Sequence, residues 1–197
     1  MKKIIALLVA AVMVLGLAAA VAEEEAGFQE YPIIDGEGNE FTDVEVQVTE
    51  GSKLNVSAVY FQPVKMEPVE QAGTPVEDAN FHLELDVSWL ENGLGYGIGD
   101  WLPFVTVDYS ITDAATGAVA SEGSFMPMNA SDGPHYGANI ALATSGTYNI
   151  EFKIHSPYES GFLLHVDDET GPEEKAFWTD PVVITITGWD YLVQDWE

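Results

Sequence analysis

The chain has 197 residues and a net charge of −27, with no cysteine and no arginine. The missing cysteines exclude disulfides, a thiolate nucleophile, Cys-ligated zinc and iron–sulfur clusters. With 33 acidic residues against 6 basic ones, it repels nucleic acid and anionic lipid, whose binding needs Lys and Arg on phosphates; such a field attracts cations, although carboxylates on an acidic surface are also often merely solvated.

Met1-Lys2-Lys3 precede an apolar run from Ile4 to about Val21. The run closes on Ala20-Val21-Ala22, a small-x-small cleavage pattern, followed by Glu23-Glu24-Glu25. This describes a secretory signal peptide over residues 1–22, with a mature chain from Glu23. A retained anchor is the rival reading, since the run is just long enough to span a bilayer. No Cys follows it, so no lipid anchor is expected. Residues 23–197 are expected to form a single domain, exported to the periplasm or beyond and soluble once the peptide is cleaved. Its basic residues are Lys53, Lys65, Lys153 and Lys175 alone.

Beyond Glu25, short alternating segments are predicted as strands over 41–49, 54–61, 80–88, 102–112, 118–125, 137–143, 147–155 and 181–187. Turn chemistry separates them at Asp35-Gly36-Glu37-Gly38, Glu50-Gly51, Glu91-Asn92-Gly93, Thr116-Gly117, Ser145-Gly146 and Thr170-Gly171-Pro172. No stretch holds a helical period, so the expected class is an all-β antiparallel sandwich. In Phe81–Val87, Phe81, Leu83, Leu85 and Val87 point one way and His82, Glu84 and Asp86 the other. In Thr147–His155, Tyr148, Ile150, Phe152 and Ile154 form the apolar face. The glycine-rich run 93–100 precedes no helix and reads as a loop, not a phosphate cradle.

The chain has four histidines, His82, His135, His155 and His165, too far apart for a local zinc motif. Each alone reads as an ordinary polar histidine, but three contexts favour metal duty. His82 and Glu84 lie side by side on a strand face. Met126-Pro127-Met128 and His135 surround a Gly-Pro turn, and thioethers are soft ligands typical of copper. The two methionines alternate about Pro127, so at most one easily faces a site, and core packing is the plain alternative for both. His165 sits in Leu164-His165-Val166-Asp167-Asp168-Glu169, where carboxylates can orient an imidazole.

Val59-Tyr60-Phe61-Gln62-Pro63-Val64-Lys65-Met66-Glu67-Pro68, then His82-Leu83-Glu84, then Met126-Pro127-Met128 through Gly133-Pro134-His135-Tyr136-Gly137, and His165 with Asp168-Glu169-Thr170-Gly171, together resemble the periplasmic high-affinity iron-transport protein family. The resemblance spans essentially the whole mature chain. It implies an immunoglobulin-like antiparallel β-sandwich, usually a homodimer, acting in iron uptake beside an inner-membrane iron permease. It implies copper at a His, Met and His site with a Glu nearby, iron handled close by, and zinc in related members. Matched by position, the copper ligands are His82, Met128, His135 and His165, with Glu84 as the accompanying carboxylate. Met66, in its Met-Glu-Pro motif, is implied to approach from a partner subunit. His155, at a strand end before Ser156-Pro157-Tyr158, competes with His165 as the last ligand. The family often has Arg before the last histidine where this chain has Leu164, so an anion contact there is not expected.

Copper or zinc storage and trafficking would use the same ligands and stays open as an alternative. Trp89, Trp101, Trp178, Trp189 and Trp196 also permit a surface glycan-binding module, although core packing is their common use. An enzyme is not expected: there is no Gly-x-Ser-x-Gly elbow and no Cys nucleophile, and carboxylate pairs are too abundant here to be informative.

Overall fold

Period-two alternation with polar turns becomes a nine-stranded antiparallel architecture in the computed structural model, which describes residues 30–41, 44–49 and 52–196. The strands are β1 (Tyr31–Pro32), β2 (Val44–Thr49), β3 (Ser52–Phe61), β4 (Phe81–Trp89), β5 (Val107–Asp113), β6 (Val119–Asn129), β7 (Pro134–Ile140), β8 (Gly146–Ile154) and β9 (Val182–Tyr191). The expected signal peptide over 1–22, the domain start at Glu23 and the Glu50-Gly51 turn lie outside the described residues. Strand order is β1-β3-β4-β7-β6-β5-β8-β9, with β2 also paired to β3.

One strand belongs to both layers of this β-sandwich. The first part of β6 pairs with β5 up to Phe125, opposite Val107. From Met126, opposite Gly137, it pairs with β7. The layer holding β3 and β4 then faces the layer holding β8 and β9. Apolar side chains meet between them: Tyr60 and Trp189 have ring centroids 5.4 Å apart, and Phe81 and Tyr191 5.1 Å. Phe81, Leu83, Leu85 and Val87 of β4 are buried, as are Tyr148, Ile150, Phe152 and Ile154 of β8. Burying aromatic and branched side chains of this size is the main favourable term in such a core.

The strands differ from the predicted spans where local chemistry intervenes. β5 begins at Val107 rather than at residue 102. Leu102 instead donates its N–H to Val87 O at 2.9 Å, and Phe104 takes a positive φ of 61° as the chain leaves β4. β6 runs on through Pro127 to Asn129 instead of stopping at 125. Past Phe125 one edge of β6 is no longer paired with β5, and an open edge is where a strand tolerates proline. β9 continues past Thr187 through Gly188, whose φ of 74° marks an irregularity in its pairing with β8. A Cβ at Gly188 would lie 2.9 Å from the Gly36 Cα, so only glycine admits the Asp35–Asn39 turn there.

Candidate metal centre

The His82–Glu84 side of β4 lies under cover: His82 is fully buried and Glu84 is 6% exposed. The chain after β3 and the β6–β7 hairpin close over it. Antiparallel register sets opposite partners: His82 faces Asn139 and Glu84 faces Gly137 across β4 and β7, while Met128 faces His135 across β6 and β7. His135, Gly137 and Asn139 share one face of β7 by strand alternation. Among the described residues, the ligand atoms of His82, Glu84 and His135 lie within 4.8 Å of one another. His135 Nε2 stands 3.4 Å from Glu84 Oε2.

Gly137 makes room for this cluster. A Cβ there would sit 2.7 Å from His82 Nε2 and 3.0 Å from Leu83 O. The His82 ring also rests on Phe61, with centroids 5.2 Å apart. Its Nδ1 meets Asn139 Oδ1 at 3.0 Å, whereas Nε2 is buried with no hydrogen-bond partner. A buried polar atom left without a partner is costly unless a ligand or water takes it. The cluster opens into a cleft of about 800 Å³ that Met66 and Met128 also line.

Burial sets the electrostatics. It pushes the His82 imidazole down to about 4, against the raising effect of the Asn139 hydrogen bond. Burial likewise lowers His135, with Asp86 and Asp132 opposing it. Glu84 is pushed up to about 8, first by burial and then by the like charges of Asp86, Asp132 and Glu30. Near neutral pH the site therefore offers two uncharged imidazoles and a carboxyl group poised to lose its proton. Neutral imidazole is the form that binds a metal. Two imidazole nitrogens and an oxygen lie together, and the thioethers of Met66 and Met128 line the same cleft; sulfur beside imidazole is the kind of soft donor mix that suits copper.

The remaining candidates fall in different places. Of the two hairpin methionines, Met128 lines the cleft, while Met126 packs on the core and reaches toward Gly73. Met66 lines the cleft of its own chain. His165 is exposed outside the cleft, with Nδ1 2.9 Å from Thr170 Oγ1; that hydroxyl in turn donates to Asp167 Oδ2 at 2.7 Å. His155 lies at the end of β8, with Nε2 2.9 Å from Asp108 Oδ2 and Nδ1 3.0 Å from Glu159 Oε2. Within one chain, neither competitor for the last ligand joins the cluster. Sequence reasoning missed Asn139 and the steric role of Gly137. Their signal was alternation with His135, but which strand they face was not readable.

The sequence pattern of the Fe2+ transport protein family matches residues 27–192. The chain belongs to the Fe2+ transport protein family. It is 38% identical over 178 residues to a 34 kDa membrane antigen of Treponema pallidum, covering 89% of this chain and 80% of that protein. Among solved structures, FetP of uropathogenic E. coli, expressed in the periplasm of E. coli, is 37% identical. That match covers 86% of this chain and 100% of FetP, with a TM-score of 0.67. Copper-reconstituted P19 of Campylobacter jejuni is 35% identical, covers 82% of this chain and 96% of P19, and superposes with a TM-score of 0.67. This Fe2+ transport family member thus stands among transport and copper-bound proteins, not enzymes. Among its described residues no helix is long and apolar enough to cross a membrane.

Proposed function

We propose that the protein is an exported, periplasmic metal-binding component of an iron-uptake system. Copper is held by His82, His135 and Met128 with Glu84 beside them. Iron is taken at neighbouring acidic side chains, since hard oxygen ligands suit it, and is passed to an inner-membrane iron permease. The observation that carries this reading is the buried His82–Glu84–His135 cluster, with the His82 Nε2 lone of any partner. Bound copper would supply a one-electron couple beside the iron. The chain's own residues keep two imidazoles neutral, hold Glu84 ready to ionise and wall the site from bulk water.

His165 fits this reading through a second copy. It is exposed and outside its own cleft, and the family resemblance makes it a ligand, so a homodimer that brings His165 of one chain to the cleft of the other completes the set. Copper titration tests the assignment. The Met128→Ile and His135→Ala substitutions should each weaken binding by at least tenfold, since removal of a ligand costs more than removal of its support. Unchanged affinity in the combined variant would sink it. Storage or trafficking of copper uses the same ligands; growth defects under iron limitation rather than copper stress separate the two.

A further inference from the structure

Asn139 sits opposite His82 on β7 and is 3% exposed. Its Nδ2 donates to Val64 O at 2.9 Å and to Thr74 O at 3.2 Å. Its Oδ1 accepts from the Val64 N–H at 3.1 Å and lies 3.0 Å from His82 Nδ1. The backbone decides which amide atom is which. Turned over, the amide oxygen would face two carbonyl oxygens, and the NH2 group would face a backbone N–H. An amide oxygen can only accept. His82 Nδ1 therefore carries the hydrogen, and the lone pair of the neutral ring is on Nε2. That is the atom buried without a partner beside Gly137. The same amide grips residues 64 and 74, the two ends of a segment that carries Met66 into the cleft.

We propose that Asn139 is the positioning residue of this centre: it fixes His82 with Nε2 toward the metal and ties that ligand to the 64–74 segment, so segment order and metal occupancy are coupled. This rests on the metal-centre reading above. Outer partners of a metal-bound histidine set ring orientation and tautomer in just this way. Here one side chain does so for the ligand while also pinning the backbone that brings in a thioether. Metal at Nε2 restrains the ring, the ring restrains Asn139, and Asn139 restrains residues 64 and 74.

Three measurements on the purified protein test the proposal. Nitrogen-15 NMR of the metal-free wild type should show His82 as the Nδ1–H tautomer; the Nε2–H form would overturn it. Hydrogen exchange at Val64 and through residues 64–74 should slow on addition of Cu(II), and no change would overturn the coupling. Cu(II) affinity, by competition with a chelator, should fall roughly 10–100-fold in Asn139→Leu, with mixed His82 tautomers. Asn139→Asp keeps the acceptor but loses both donors. It should retain the His82 tautomer and the bond from the Val64 N–H, while exchange toward residue 74 speeds up and responds less to Cu(II). Should Asn139→Leu not fold, the wild-type measurements and Asn139→Asp still decide the matter. His82→Ala separates the two failures. If it leaves Cu(II) affinity unchanged, the metal-centre reading falls and takes this proposal with it. If it lowers affinity while Asn139→Leu leaves tautomer and affinity intact, only the positioning role is wrong.

Discussion

Burial acts on Glu84 and His82 in opposite directions, which gives the metal-free protein a definite pH profile. The folded Glu84 value of about 8 lies above its ordinary 4.5. Between those values the folded carboxyl keeps a proton that the unfolded chain has released. Its stabilising contribution is therefore full below about 4.5 and is lost as pH rises to about 8. The folded His82 value of about 4 lies below its ordinary 6.5. Its contribution is full above about 6.5 and is lost as pH falls toward 4. The two slopes oppose each other between 4.5 and 6.5, and above 6.5 Glu84 acts alone. Chemical denaturation should show a loss on the order of 2 kcal/mol between about pH 6.5 and about pH 8. Glu84→Gln should flatten that limb, and a limb that survives the substitution would mean another group is responsible. Neither shift was visible in the sequence, because His-Leu-Glu on a strand reads as a solvated face until something covers it. Covering it took Phe61 and the 64–74 segment, which precede β4, and the β6–β7 hairpin far along the chain.

Strand alternation made β4 and β8 legible, because each carries an unbroken apolar set at every second residue. The hairpin of β6 and β7 was not legible in full. Pro127 and Gly133-Pro134 look like breakers, yet Pro127 lies on an edge that has lost its β5 neighbour and Pro134 opens β7 opposite Asn129. The predicted strands stop at 125 and resume at 137, so the cross-strand pairing of Met128 with His135 was not readable. The ligand types came from the sequence, whereas their meeting depends on the registers of β4 with β7 and of β7 with β6. The loop carrying His165 belongs to this scale too. Asp167 caps it through the N–H groups of Glu169 and Thr170, so it is a built turn. If a second copy supplies His165, mixing His135→Ala chains with His165→Ala chains should restore one intact copper site per mixed dimer. If His165 serves its own chain, mixing restores none. Equilibrium dialysis of each variant and of the mixture distinguishes the two.

Charge is a property of the whole molecule, and at −27 it works against compactness. Few cations offset it: Lys153 pairs with Glu151 at 3.0 Å on an exposed face, the kind of pair that contributes little. Added salt should therefore stabilise the fold. Screening of about 1 kcal/mol of self-repulsion would raise the unfolding midpoint by about 2–4 °C in a chain of this size. A midpoint insensitive to sodium chloride between about 0.01 M and about 0.5 M would show the carboxylates to be too well spread to matter. The sandwich was legible at this scale because short amphipathic strands leave few other ways to bury one face. The use of β6 in both layers was not, since nothing in its residues marks where one partner gives way to the next.

The pocket beside His135 gives the protein a colour of its own to lose. Trp101 lines that hollow of about 270 Å³ together with His135 and lies stacked on Tyr136, with centroids 5.3 Å apart. If copper binds at His135 as proposed, this indole is an intrinsic lamp beside a paramagnetic quencher. Cu(II) should dim the tryptophan emission in proportion to occupancy, and Trp101→Phe should remove most of that response while leaving affinity in place. Zinc, which is diamagnetic, should leave the lamp lit, so the fluorescence trace would report filling of the cleft by Cu(II), and zinc would show itself by blocking the dimming when it is added first.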